Sequence, residues 1–176
     1  MIWKRPVLAG GCVMLVLAVA ASTWAQKNDA PLPRGTAADR ILIEKAKRAL
    51  TLFEKDKTLK TYQVALGREP VGAKRREGDG RTPEGIYIIA GRKPDSAFHR
   101  ALRISYPNDA DLVRARATGE PPGGDIMIHG LKNGLGWLGR LHTSSDWTEG
   151  CIAVTNEEIE EIWDAVPDGT PVEIVP

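Results

Sequence analysis

The chain has 176 residues, with 24 Lys and Arg against 23 Asp and Glu, a formal net charge of +1, and only two cysteines, Cys12 and Cys151. This balance removes the electrostatic basis for a nucleic-acid partner. Cys12 falls in an apolar leader, so Cys151 is left without an intramolecular disulfide partner and the fold has to rest on its own core.

Lys4 and Arg5 precede an uncharged run from Pro6 to Ala25, and Thr23 and Ala25 are small residues placed like a signal-peptidase site. Residues 1–25 therefore read as an export signal cleaved after Ala25, the alternative being an uncleaved N-terminal anchor. Cys12 does not read as a lipid-modified cysteine, because the most apolar stretch follows it. A membrane partner is expected only through residues 1–25, if they are retained, and the rest of the protein is expected in the periplasm. Residues 26–39, "QKNDAPLPRGTAAD", are rich in Pro, Ala and Gly without apolar periodicity and read as a linker. The remaining 40–176 read as one domain.

Within it, "ILIE", "LTLF" and "TYQVAL" carry strand composition, with Lys55 to Lys57 as a turn, and predict a three-stranded meander. "VGAKRREGDGRTPEG" is a loop by its glycine and charge density. "IYIIAGR" predicts a short strand and "ALRISYP" another. Asn108 or Asp109 caps a short helix near 108–117. "DIMIHG" predicts a strand ending in His129. The glycine-rich stretch "LKNGLGWLGRLHTSSDWTEG" is a long loop that ends at Cys151. Thr155 with Glu158 matches a capping box, and Ile159, Ile162, Trp163 and Val166 form an apolar stripe, so a helix is expected at about 156–166. Pro167 and Gly169 stop it, and "TPVEIVP" closes the chain as a strand.

An unpaired thiol in an oxidising compartment is a liability unless it is buried as a small hydrophobe or kept for its reactivity. A nucleophilic cysteine needs a base. The histidines are His99, His129 and His142, and spacing alone does not choose among them. Three scattered histidines and one cysteine make no ligand set at the usual spacing, so neither a metal nor a cofactor is expected.

"IMIHG" followed by "TEGCIAVTNEE" resembles the L,D-transpeptidase catalytic domain, the YkuD-like family. Its signature is a histidine in an HG or HS pair, a loop, then Ser/Thr-x-Gly-Cys, with an asparagine a few residues on, here Asn156. "ALG" leading through "GDGRTPEG" and the stretch "ISYPN" extend the resemblance over roughly Ile41 to Val175. The resemblance implies a mainly β fold with a sandwich-like sheet core and a cleft, and action on peptidoglycan stem peptides. It implies that Cys151 attacks the bond between diaminopimelate and D-alanine of a tetrapeptide stem and forms a thioester. His129 would be the proton donor and acceptor, with the Gly130 carbonyl holding its tautomer, and the N–H groups of Gly150 and Cys151 would form the oxyanion hole. Gly150, lacking a Cβ, would let substrate approach the thiol. Arg81, His99 and Trp147 are candidate substrate contacts, and Trp137 joins Trp147 as a candidate cleft wall. His142 is the alternative base.

Two departures stand out. Glu149 occupies the place where members often carry His or Lys. It would disfavour a thiolate unless turned away or paired with Arg140 or Lys132. Ala153 stands where many carry Arg. The acceptor stays open between an amine, including one on a wall-anchored lipoprotein, and water, which would make the protein a carboxypeptidase or amidase. A non-catalytic wall-binding module is the alternative of another class. A papain-like thiol hydrolase does not fit, because the order here is His then Cys.

Overall fold

The structure, a computed structural model, describes residues 30–176. The leader 1–25, with Cys12, lies outside the described residues. The strands are β1 (Arg40–Glu44), β2 (Ala49–Glu54), β3 (Lys57–Gln63), β4 (Gly85–Ser96), β5 (His99–Ile104), β6 (Met127–His129), β7 (Ile152–Ala153) and β8 (Pro171–Val175). They hydrogen-bond in the order β3-β2-β1-β8-β4-β5-β6-β7, which is a mainly β fold. The β1–β8 and β6–β7 pairs are parallel and the others antiparallel.

The expected meander is β1 to β3, turned at Lys55 with a positive φ of 54°. Ile41 and Ile43 alternate inward from β1, as period-2 patterning requires. β4 is longer than expected and joins two half-sheets. Its first four residues pair with β8, and the part from Ile89 onward pairs with β5. Both halves bury one face in a single core, where Leu50, Tyr62, Tyr87, Leu102, Ile128 and Ile152 meet.

Helix α1 (Asp109–Thr118) begins at Asn108, whose side chain accepts from the Asp111 N–H in a reciprocal capping box, and ends on the left-handed Gly119. Helix α2 (Asn156–Ala165) starts with the expected Thr155–Glu158 box. It seats Ile159 and Ile162 in the core against β5 and β6. Trp163 is only half-buried and lies under Arg92 and Arg100, 4.8 and 5.1 Å from its ring centre. The loop before Cys151 contains a 3-10 segment, Gly136–Ser144, broken at Gly139.

Part of the stretch read as a linker lies on the domain. Ala38 is in the core and its N–H donates to the Ala165 carbonyl at 2.7 Å, while the Ala30 carbonyl accepts from Lys60 Nζ at 2.9 Å. Short Ala and Pro side chains give no periodic signal, so such packing is invisible to pattern. No helix of the described residues is long and apolar enough to cross a membrane.

Candidate active site

Strand pairing brings the two ends of the motif together. Ile128 lies opposite Ile152 and His129 opposite Ala153 on the parallel strands β6 and β7. The two isoleucines are fully buried in the core. Alternation then turns Met127, His129 and Cys151 to the other face, where all three line a cleft of about 740 Å³. Cys151 is half-buried, and its Sγ lies 3.6 Å from the Asp125 carbonyl.

His129 is buried, with Nδ1 2.7 Å from the Gly130 carbonyl. A carbonyl only accepts, so Nδ1 carries the hydrogen and Nε2 keeps a lone pair. Asn156 fixes this corner. Its Oδ1 accepts from the Leu131 N–H at 2.8 Å, and a Cβ on Gly130 would stand 2.8 Å from the same oxygen. Burial lowers the imidazole pKa, partly offset by the hydrogen bond to Gly130. Burial also raises the thiol pKa; Asp125 adds to this, while the Met127 backbone and Lys74 oppose it. Burial therefore favours the neutral form of each group.

Glu149 is held in an ion pair, but its partner is Arg68 rather than Arg140 or Lys132. Arg140 lies beside Glu158, 3.8 Å away. The Gly150 N–H donates to Thr148 Oγ1 at 3.1 Å, so this loop already uses the donor expected for an oxyanion. Glycine at 150 has another cause than substrate access. Its φ is 126°, and a Cβ would stand 2.4 Å from the Arg81 carbonyl.

Arg81 thus meets the site through its backbone. Its guanidinium packs near Gly72, and it is not among the cleft residues. His99 is also outside the cleft, with Nε2 2.6 Å from Glu160 Oε1 at α2. Trp137 is 76% exposed and is no cleft wall, whereas Trp147 is one.

Trp147 belongs to an aromatic row. Its ring centre lies 5.9 Å from His129, 6.5 Å from His142 and 6.1 Å from Phe98, and Phe98 packs on His129 at 4.7 Å. Phe98 gives no sequence signal, since a hairpin places it there. His142 is buried beside the cleft. Both of its ring nitrogens, and Trp147 Nε1, lack a hydrogen-bond partner among the described residues. Burial, with a smaller contribution from His129, lowers the His142 pKa to about 4.

A family model for the YkuD L,D-transpeptidase catalytic domain matches residues 38–174. The chain belongs to this family. It is 33% identical over 132 residues to the YafK protein of Escherichia coli K12, covering 72% of this chain and 46% of that relative. It is 27% identical over 143 residues to the YkuD protein of Bacillus licheniformis, covering 78% and 66%. Among solved structures it is similar to the helical cell shape determining protein Pgp2 of Campylobacter jejuni, with a TM-score of 0.59, 26% identity and coverage of 85% of this chain and 51% of that one. An L,D-transpeptidase from Mycobacterium smegmatis shares the fold at a TM-score of 0.53 and 13% identity, covering 79% of this chain and 59% of that one. The match thus spans about half the length of YafK and of the Pgp2 chain.

Proposed function

We propose that this protein is a peptidoglycan L,D-transpeptidase whose nucleophile is Cys151 and whose base is His129. The observation that carries this is their placement on one face of adjacent strands, at a cleft, with the His129 tautomer held by Gly130. With burial favouring the neutral form of each group, the thiol proton passes to His129 Nε2 as sulfur attacks the carbonyl carbon of the diaminopimelate–D-alanine bond. The tetrahedral oxyanion collapses, the C–N bond breaks, and the departing D-alanine amine takes the proton from His129. A thioester remains. His129 then removes a proton from the acceptor amine, which attacks the thioester, and the thiolate leaves and is reprotonated. The Cys151 N–H serves the oxyanion, joined by the Gly150 N–H once Thr148 Oγ1 releases it.

Residues 1–25 act in this account as an export segment that delivers the domain 40–176 to the periplasm. The acceptor is the amine of a second stem peptide or of a wall-anchored lipoprotein. The test is mass spectrometry of purified disaccharide-tetrapeptide after incubation with the protein. Crosslinked dimer with released D-alanine is the expected result. Disaccharide-tripeptide alone would assign water as the acceptor and make the protein a carboxypeptidase. Unchanged substrate would contradict both and favour a wall-binding module.

A further inference from the structure

We propose that Lys93 and Lys132 form a carboxylate-recognition subsite of the cleft, holding a free carboxylate of the peptide whose carbonyl Cys151 attacks. This rests on the cleft being the stem-peptide site proposed above.

The strand register sets the geometry. Lys93 on β4 lies opposite Ala101 on β5, Ala101 opposite His129 on β6, and His129 opposite Ala153 on β7. Residues opposite one another in a sheet share a face, so these four form one row across the site. Two strand spacings, about 10 Å, separate the Cα atoms of Lys93 and His129. The residue between them is an alanine, which leaves the floor open. A lysine stem spans much of that distance, and Lys93 and Ala101 both line the cleft.

Lys132 comes to the same end by another route. The Asn133 N–H donates to the Ala97 carbonyl at 2.9 Å, and Asn133 Nδ2 donates to the Ser96 carbonyl at 3.1 Å. These bonds tie the chain after His129 to the β4–β5 hairpin, and Lys132 lines the cleft there.

Charge distinguishes this end from the other. Both lysines are exposed, and neither has an ion pair among the described residues. The two acidic cleft residues are each paired with an arginine, Asp125 with Arg103 at 3.1 Å and Glu149 with Arg68. The uncompensated charge of the cleft is therefore positive and sits at the hairpin end. The β7 end of the row carries Ala153, which is fully buried, and no cation. Two flexible ammonium groups converging on one end suit a carboxylate that is free to choose its approach.

The test measures disaccharide-tetrapeptide binding by calorimetry in a Cys151→Ala background, where no chemistry intervenes. The peptide is used with free and with amidated carboxylates. Lys93→Met and Lys132→Met should each weaken binding of the free peptide by about tenfold, in line with a charge-assisted hydrogen bond at a wet site. Amidation should cost the parent a similar factor and cost the lysine variants little further. Lys93→Arg should restore most of the affinity. With Cys151 present, KM should rise by about tenfold in the Met variants while kcat stays within about twofold, the signature of binding lost equally from ground state and transition state. Equal affinity of free and amidated peptides, or lysine variants that bind like the parent, would overturn the proposal. If the unaltered protein turns the peptide over and the lysines make no difference, only the subsite fails. If binding depends on the lysines but no D-alanine is ever released, the transpeptidase reading fails and the subsite stands.

Discussion

Two of the buried basic side chains, Lys45 and His142, are treated very differently by their surroundings. Lys45, in the turn after β1, is 2% exposed, and its Nζ donates to Gly72 O at 2.6 Å, Thr82 O at 3.1 Å and Glu84 Oε1 at 2.7 Å. His142, beside the cleft, is 6% exposed and neither ring nitrogen has a partner among the described residues. Burying a polar group without a partner costs about 1–3 kcal/mol, so Lys45 is satisfied in its turn while His142 at the cleft carries a debt. The thiol and His129 extend the contrast, since burial disfavours the charged form of each.

Substitutions sharpen or break that contrast. Cys151→Ala should abolish product formation and leave the melting temperature nearly unchanged, because the thiol is half-buried and packs little. Retained activity with a fall of several degrees would make it a core residue instead. His129→Ala should lower single-turnover acylation by about a thousandfold, close to the cysteine loss, since groups that act as a unit fail together. A dead His142→Ala beside an active His129→Ala would reassign the base.

Lys45→Met should cost about 3 kcal/mol in urea melts, because it strands three acceptors, one of them the Glu84 carboxylate. Folded Lys45→Met should keep its activity; loss of activity without loss of stability would erase the contrast between Lys45 and His142. The smallest effect is at His142→Leu, which should raise stability by about 1 kcal/mol and lower turnover only mildly. Its pH signature is more specific. The folded imidazole stays neutral down to about pH 4, while the unfolded one takes up a proton below about 6.5. The unfolded state therefore binds more protons between those values, and stability falls as pH falls, by at most about 1.4 kcal/mol per unit. Urea melts from pH 7 to 4 should show a shallower slope in His142→Leu; identical slopes would place His142 in contact with water.

Much of this was legible before the fold. The Asn108 or Asp109 cap announced α1, the Thr155–Glu158 box announced α2, strand composition announced β1 to β3, and His129 and Cys151, each next to a glycine, both line the cleft. What escaped was set by distance or brevity. β7 has two residues, too few for any period, yet it is the strand that sets Cys151 on the same face as His129. Phe98, the Arg68–Glu149 pair and the Arg81 carbonyl against Gly150 join segments far apart in sequence. Glycines hid the 3-10 segment inside what read as plain loop. The same segment puts His142 against the cleft and turns Trp137 outward.

Acylation of Cys151 by a stem peptide can be caught directly. Disaccharide-tetrapeptide mixed with the protein and quenched in acid within seconds should give an intact mass increased by the substrate less D-alanine. Proteolysis should place the adduct on the peptide carrying "GCIAV", and hydroxylamine should release it as a thioester. A folded protein that converts the substrate with no adduct on Cys151, or with the adduct on another residue, would contradict the account.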